Sequence, residues 1–202
     1  MIQFDPAAHS YTLGGRRLPN VTSIMEPLCD YSRIPRDVLD AAALRGNHVH
    51  KACELYLWEM LDEESLDADY KPYLEGFKKF LAETGFIAEQ IEERVYHKTL
   101  LYAGTMDLGG ILPGKGRKGD KRALIDIKTT FKLMASVGPQ TAAYADAWAS
   151  HRPKDQHFEE RYGLQLKKDG TYKLQPFKSL NDSNVFRSCL AIYNFMQTEK
   201  AA

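Results

Sequence analysis

The sequence is short of cysteine, of long apolar runs and of net charge, and each shortage excludes something. Three cysteines in 202 residues, Cys29, Cys53 and Cys189, are an odd number at wide spacing. They build no disulfide framework and point to a reducing, cytoplasmic setting, the host cytoplasm if the chain is phage-encoded. No stretch approaches the ~18 consecutive apolar residues of a membrane span. The opening Met1-Ile2-Gln3-Phe4-Asp5 has no basic segment leading into an apolar run, so a secretory signal is not expected. With 27 basic and 27 acidic side chains and a pI near 7.0, the chain is no histone-like or ribosomal polycation. Repeats, low-complexity runs and linkers are also missing, so one domain over residues 1–202 is the economical reading.

What is present is enough for a packed core. Hydrophobic residues are 44% and aromatics 11% of the chain, which excludes disorder. A chain of this length buries roughly 70% of its unfolded surface. The neutral total hides an asymmetry: between Glu54 and Glu93 twelve acidic residues face three basic ones, leaving a positive excess of nine elsewhere. One face can therefore receive an anionic partner, while Asp62 to Asp69 reads as a solvated acidic stretch.

Periodicity gives the order of elements. A short hairpin is expected over residues 2–18, then a brief helix entered at Asn20. Pro35 opens a helix from about Arg36 to Asp62, with Val38, Leu39, Ala42, Val49, Ala52, Cys53, Tyr56, Leu57 and Met60 at three- and four-residue steps. Gly46 interrupts it at a cost of about 1 kcal/mol against alanine, which suggests close packing there. A second helix spans about Ala68–Thr84 and ends at Gly85. Strands follow at about 87–99, 102–112 and 123–129, a helix at 140–150, and strands at 158–167 and 171–175 joined by Lys168-Asp169-Gly170. A last helix covers 183–199. The fold class expected is α/β: a central mixed sheet of four or five strands flanked by helices, with an N-terminal hairpin and a C-terminal hairpin plus helix.

The chemistry concentrates on two neighbouring strands. Asp126 and Lys128 are two residues apart and share a face, Ile125 and Ile127 taking the other. The preceding strand can bring Asp107 opposite Asp126. Two close carboxylates repel unless a cation lies between them, and hard oxygen ligands favour Mg²⁺ or Mn²⁺. A surface strand with ordinary charges satisfies the same pattern.

Four motifs in order narrow the choice. Arg45-Gly46-Asn47-His48-Val49-His50 with Glu54, then Gly104-Thr105-Met106-Asp107, then Asp126-Ile127-Lys128-Thr129, then Gln140-Thr141-Ala142-Ala143-Tyr144 together resemble the RecB-like exonuclease branch of the PD-(D/E)XK nuclease superfamily, with its restriction-endonuclease-like sheet. They span residues 45–144. His9-Ser10-Tyr11 and Pro19 to Ile24 also resemble phage members. The resemblance implies that His50, Asp107, Asp126 and the Ile127 carbonyl bind Mg²⁺ or Mn²⁺. It implies that Lys128 orients the attacking water, and that Gln140 and Tyr144 line the site. The activity implied is that of a metal-dependent deoxyribonuclease, an exonuclease on single-stranded DNA or DNA ends, with a recombination or single-strand-binding protein as candidate partner. A junction-resolvase-like endonuclease and a binding module without catalysis are the alternatives.

The residues themselves keep simpler readings open. His50 and Glu54 share a helical face and suit a hydrogen bond; His48 lies about 200° from His50 and reads as surface. Gln140 and Tyr144 also suit a plain helix-surface pair. The resemblance also points to Glu93, which matches an acidic position upstream of the Gly-Thr-x-Asp motif. Lys115, Arg117, Lys118, Lys121 and Arg122, in a Gly-rich turn without Walker spacing, suit either phosphate contact or a solvated tip. Lys154, Arg161, Lys167, Lys168 and Lys173 form a second basic region. Several relatives hold an iron–sulfur cluster on four cysteines, one before the core and three after the Gln-x-x-x-Tyr helix; here two precede and one follows, so no cluster is expected.

Overall fold

The computed structural model describes residues 2–6, 8–114 and 119–201. Lys115, Arg117 and Lys118, three of the basic turn candidates, lie outside them. The chain opens with three antiparallel strands, β1 (Ile2–Asp5), β2 (Ser10–Leu13) and β3 (Arg16–Leu18). The expected hairpin thus carries a third strand. Asn20 caps the short helix α1 (Val21–Ile24), its side-chain oxygen accepting the Ser23 N–H at 2.7 Å.

Two helices follow, α2 (Arg36–Leu57) and α3 (Lys71–Thr84). The first stops five residues short of the expected Asp62. Glu59 is left-handed (φ 57°) and the Met60 N–H reaches back to the Leu55 carbonyl at 2.9 Å, which closes the helix in a turn. Its apolar stripe is buried only in the second half, at Val49, Ala52 and Cys53; Val38 and Leu44 remain exposed. Gly85, at φ 67°, ends α3 as expected, its N–H on the Leu81 carbonyl.

The main sheet contains β4 (Ile87–Tyr96), β5 (Ala103–Leu112), β6 (Lys121–Lys128), β7 (Glu160–Leu166) and β8 (Tyr172–Pro176), adjacent in that order. All neighbours are antiparallel except β6 and β7. Between these two runs α4 (Val137–Ala149), and the chain ends in α5 (Asp182–Ala201). Arg161 on β7 ties the two helices together: its guanidinium donates to the Gly138 carbonyl (2.7 Å) and to Asp182 (2.9 Å).

The sheet separates two cores. On one face Val21, Met106, Leu124, Tyr144, Trp148 and Phe186 pack between the sheet and α1, α4 and α5. On the other, Val49, Phe77, Phe80, Ile125, Ile127 and Leu164 pack against α2 and α3. β6 is central and buried on both sides, from Ala123 to Ile127. Its alternation sends Leu124 one way and Ile125 and Ile127 the other, so Asp126 shares the α4 side with Leu124.

Candidate metal centre

The site arises where the sheet comes apart. Pairing of β5 with β6 ends at Leu108 opposite Ile125; the next residues are Asp107 and Asp126. Beyond that point β5 and β6 have no register partners. The Asp107 carboxylate instead accepts the Ile127 N–H through Oδ2 at 2.6 Å, keeping a buried donor satisfied. Asp107 and Asp126 are 8% and 1% exposed. Two acids so deeply placed need compensation, and three groups supply it.

The first is His50, reaching over from α2. Its Nε2–H donates to the Ile127 carbonyl at 3.0 Å, an acceptor only, which fixes the tautomer. Nδ1 then faces Asp107 Oδ1 at 3.5 Å and Glu92 Oε1 at 3.6 Å. Burial disfavours the imidazolium, but Asp107 and then Glu92 outweigh it and push His50 up to about 10. The second is Lys128, whose ammonium lies 2.6 Å from Asp126 Oδ2. Burial again works against the charge; Asp126 and Asp107 prevail and hold the amine above its usual range. The third is the Ile127 N–H itself. Burial would raise Asp107, yet His50, Lys128 and that N–H hold it below the usual carboxylate range.

Asp126 is less well served. Burial pushes it up to about 6 despite Lys128, and its Oδ1 is buried with no hydrogen-bond partner. An orphaned carboxylate oxygen beside a second acid is where a cation gains most. His50, Glu92 and Asp107 present one ligand atom each within 4.8 Å of one another. One imidazole nitrogen with carboxylate oxygens suits Mg²⁺, Mn²⁺ or a neighbouring first-row ion. An imidazole that ligates through Nδ1 while Nε2–H rests on a carbonyl has the usual supporting arrangement of a metal-bound histidine. The residues present fit a divalent ion.

Glu92, not Glu93, is the acid at the centre. Glu93 stands opposite Met106, and Glu92 falls opposite Asp107. Glu92 is left-handed (φ 49°), a strained conformation for a non-glycine residue, and burial raises its carboxyl. The Glu92-Glu93 pair was visible in the sequence; the local kink that selects one of them was not.

The remaining candidates fall in different places. Gln140 and Tyr144 line the cleft above the acids, and the Gln140 amide donates to the Tyr144 hydroxyl at 3.3 Å. Tyr144 is also buried against Gly104. The Ile127 carbonyl, expected among the metal's ligands, is here the acceptor that orients His50. Glu54 lines the cleft but pairs with Lys51 at 2.7 Å, not with His50. His48 is exposed and stacks on Tyr70. Lys121 and Arg122 are bound to Glu159 (2.6 Å) and Glu89 (2.7 Å) at the opposite end of β6 from Lys128, roughly 20 Å away at strand rise. They do not reach the cleft. The N-terminal sheet forms a wall of the cleft, where the Tyr11 hydroxyl meets Thr105 Oγ1 at 2.9 Å.

No family model and no curated protein matches the sequence. Among solved structures, the chain is similar to the alkaline exonuclease LHK-Exo from Laribacter hongkongensis, with 12% identity and a TM-score of 0.38 over 76% of this chain and 93% of that one. It is also similar to SSO0001, with 15% identity and a TM-score of 0.37 over 88% of this chain and 84% of that one.

Proposed function

We propose that this chain is a divalent-metal-dependent deoxyribonuclease of the RecB-like PD-(D/E)XK type, an exonuclease acting on single-stranded DNA or DNA ends. The observation that carries the reading is the break in the β5–β6 ladder. It leaves Asp107 and Asp126 buried side by side, with Glu92, His50 and Lys128 turned toward them. A structural ion pair would not leave Asp126 Oδ1 without a partner or draw Glu92 into a left-handed conformation.

His50 Nδ1, Glu92 and Asp107 would hold the ion, with Asp126 beside them. When bound, a divalent ion supplies Lewis-acid charge and a water acidified toward neutral pH. The chain's own groups do the rest. Lys128, kept protonated by Asp126 and Asp107, enters as an ammonium: it offers hydrogen bonds and positive charge to a phosphodiester gaining negative charge at phosphorus, not a free base. The Tyr144 phenol is pushed up by burial and then by Asp126, so it stays a neutral hydroxyl. With the Gln140 amide it can donate to a phosphate oxygen or to the water. The Ile127 carbonyl prevents His50 from rotating away.

The test is degradation of 5′- and 3′-end-labelled single- and double-stranded DNA with Mg²⁺, Mn²⁺ or EDTA. Metal-dependent release of mononucleotides or short oligonucleotides is expected. Discrete cuts confined to branched DNA would favour a resolvase-like endonuclease, and intact but retarded DNA in every metal would defeat the nuclease reading.

A further inference from the structure

The cleft at the metal centre does not end there. A second hollow shares His50, Lys128 and Gln140 with it and continues past Tyr31 and Met134 to Thr130. At Thr130 a third hollow begins, of about 650 Å³, lined by Arg45, Phe131, Lys167, Lys168 and Lys173. Thr130 lines both hollows, so the basic hollow adjoins the one that opens onto the acids. Arg45 lies five residues before His50 on α2, about 7.5 Å along the axis. Phe131 lies three residues past Lys128.

Four features set this hollow apart from a solvated basic patch. Arg45, Lys167, Lys168 and Lys173 make no ion pair within 4.0 Å among the described residues, whereas Lys121 and Arg122 are both paired. The one carboxylate in the lining, Asp169, is taken up at Oδ1 by the Thr171 N–H (2.9 Å) and hydroxyl (2.6 Å). Arg45 Nε is buried with no hydrogen-bond partner. Finally, the Phe131 ring is fully exposed, yet its backbone is not free: the buried Gln165 amide donates to the carbonyls of Thr130 (2.8 Å) and Phe131 (2.6 Å). An aromatic face held out in water beside four cations without ion-pair partners matches the recognition of a base and its flanking phosphates, not the burial of a core residue.

We infer that this hollow seats single-stranded nucleic acid, with phosphates on Arg45, Lys167, Lys168 and Lys173 and an unpaired base stacked on Phe131, and that it feeds the strand to the metal centre. The inference deepens the nuclease reading and rests on it. A base stacked between neighbouring pairs inside a duplex cannot offer its face to Phe131, so single strands are selected over duplex interior.

The experiment is fluorescence anisotropy of a labelled 20-mer oligothymidylate in EDTA, where no turnover intrudes. Phe131→Ala is expected to weaken binding about 5- to 100-fold, with recovery in Phe131→Trp. Lys167→Ala/Lys168→Ala/Lys173→Ala is expected to weaken it at least about tenfold and to lower the salt slope by about 2. The charge-matched Lys98→Ala/Lys154→Ala/Lys178→Ala variant, whose lysines are exposed and line none of these hollows, should stay within about twofold of the parent chain. Binding unchanged in the groove variants, an equal loss in the control, or a blunt duplex bound as tightly as the oligothymidylate would each overturn the inference. Hydrolysis is assayed separately with Mn²⁺: binding that follows this pattern without hydrolysis retires the nuclease reading alone and leaves the seat standing.

Discussion

Two residues divide the chemistry of the site between them. In the proposed mechanism Glu92 would contribute charge to the ion, and Lys128 would contribute charge to the substrate. Glu92→Gln should raise the dissociation constant for Mn²⁺ at least about tenfold, the scale on which even an outer partner of a metal ligand matters. Glu93→Gln should leave it unchanged; titration calorimetry on both variants checks the assignment, and equal effects would return the role to Glu93. Lys128→Ala should cut turnover at least about 100-fold with the fold and Mn²⁺ binding retained, as for loss of one preorganised donor. Rates near normal in that variant would remove the ammonium from the mechanism. Because the proposed ligand set includes an imidazole, Mn²⁺ should support hydrolysis at least as well as Mg²⁺, and a strict preference for Mg²⁺ would count against His50. Asp126 and Lys128, with Asp107 on the neighbouring strand, were legible because a strand's period of two dictates which side chains share a face; His50, Gln140 and Tyr144 were singled out only by the resemblance to the RecB-like motifs. Glu92 was not legible, because a positive φ at one residue shifts the facing side chain by one place.

Among the elements, two glycines that look alike in sequence behave differently. Gly46 suggested close packing inside α2, yet a Cβ there would meet only Thr129 Oγ1, at 4.0 Å. Gly46→Ala should therefore stabilise the protein by about 0.5–1 kcal/mol in urea unfolding, the helical cost of glycine removed. A loss of stability would mean that α2 is more tightly seated than these distances imply. Gly104 on β5 is the opposite case. A Cβ there would stand 2.6 Å from Tyr144 Cε1 and 3.3 Å from Val21 Cγ2. Gly104→Ala should cost about 1–3 kcal/mol and displace the Tyr144 ring from the cleft, seen as destabilisation accompanied by reduced turnover. Helix and strand identities followed from periodicity. Their ends did not: α2 stops at Leu57 because of a left-handed turn at Glu59, although the apolar pattern runs on to Met60.

For the molecule as a whole, the buried centre couples stability to pH. The folded state keeps the His50 proton up to about pH 10, while the unfolded chain releases it near the ordinary histidine value of about 6.5. Between those values the native state binds the extra proton. Its contribution is complete below about pH 6.5 and is lost as pH rises toward 10. In EDTA, the urea midpoint should fall across that window, and the slope should disappear in His50→Gln. Mn²⁺ should reverse the trend, because the ion binds the neutral imidazole more tightly as protons become scarce. A midpoint flat from pH 7 to 9 without metal would contradict this account. By itself, the sequence determined the order of elements, the mixed α/β class and the shared face of Asp126 and Lys128 beside Asp107, since these depend on local periods and on side-chain chemistry. Tertiary structure decided the rest: where the β5–β6 ladder breaks, which of two adjacent glutamates turns inward, and which basic residues are spent on ion pairs and which stand ready along the groove. Those outcomes depend on contacts between segments far apart in the chain, such as His50 with Ile127 and Gln165 with Phe131, for which no local pattern exists.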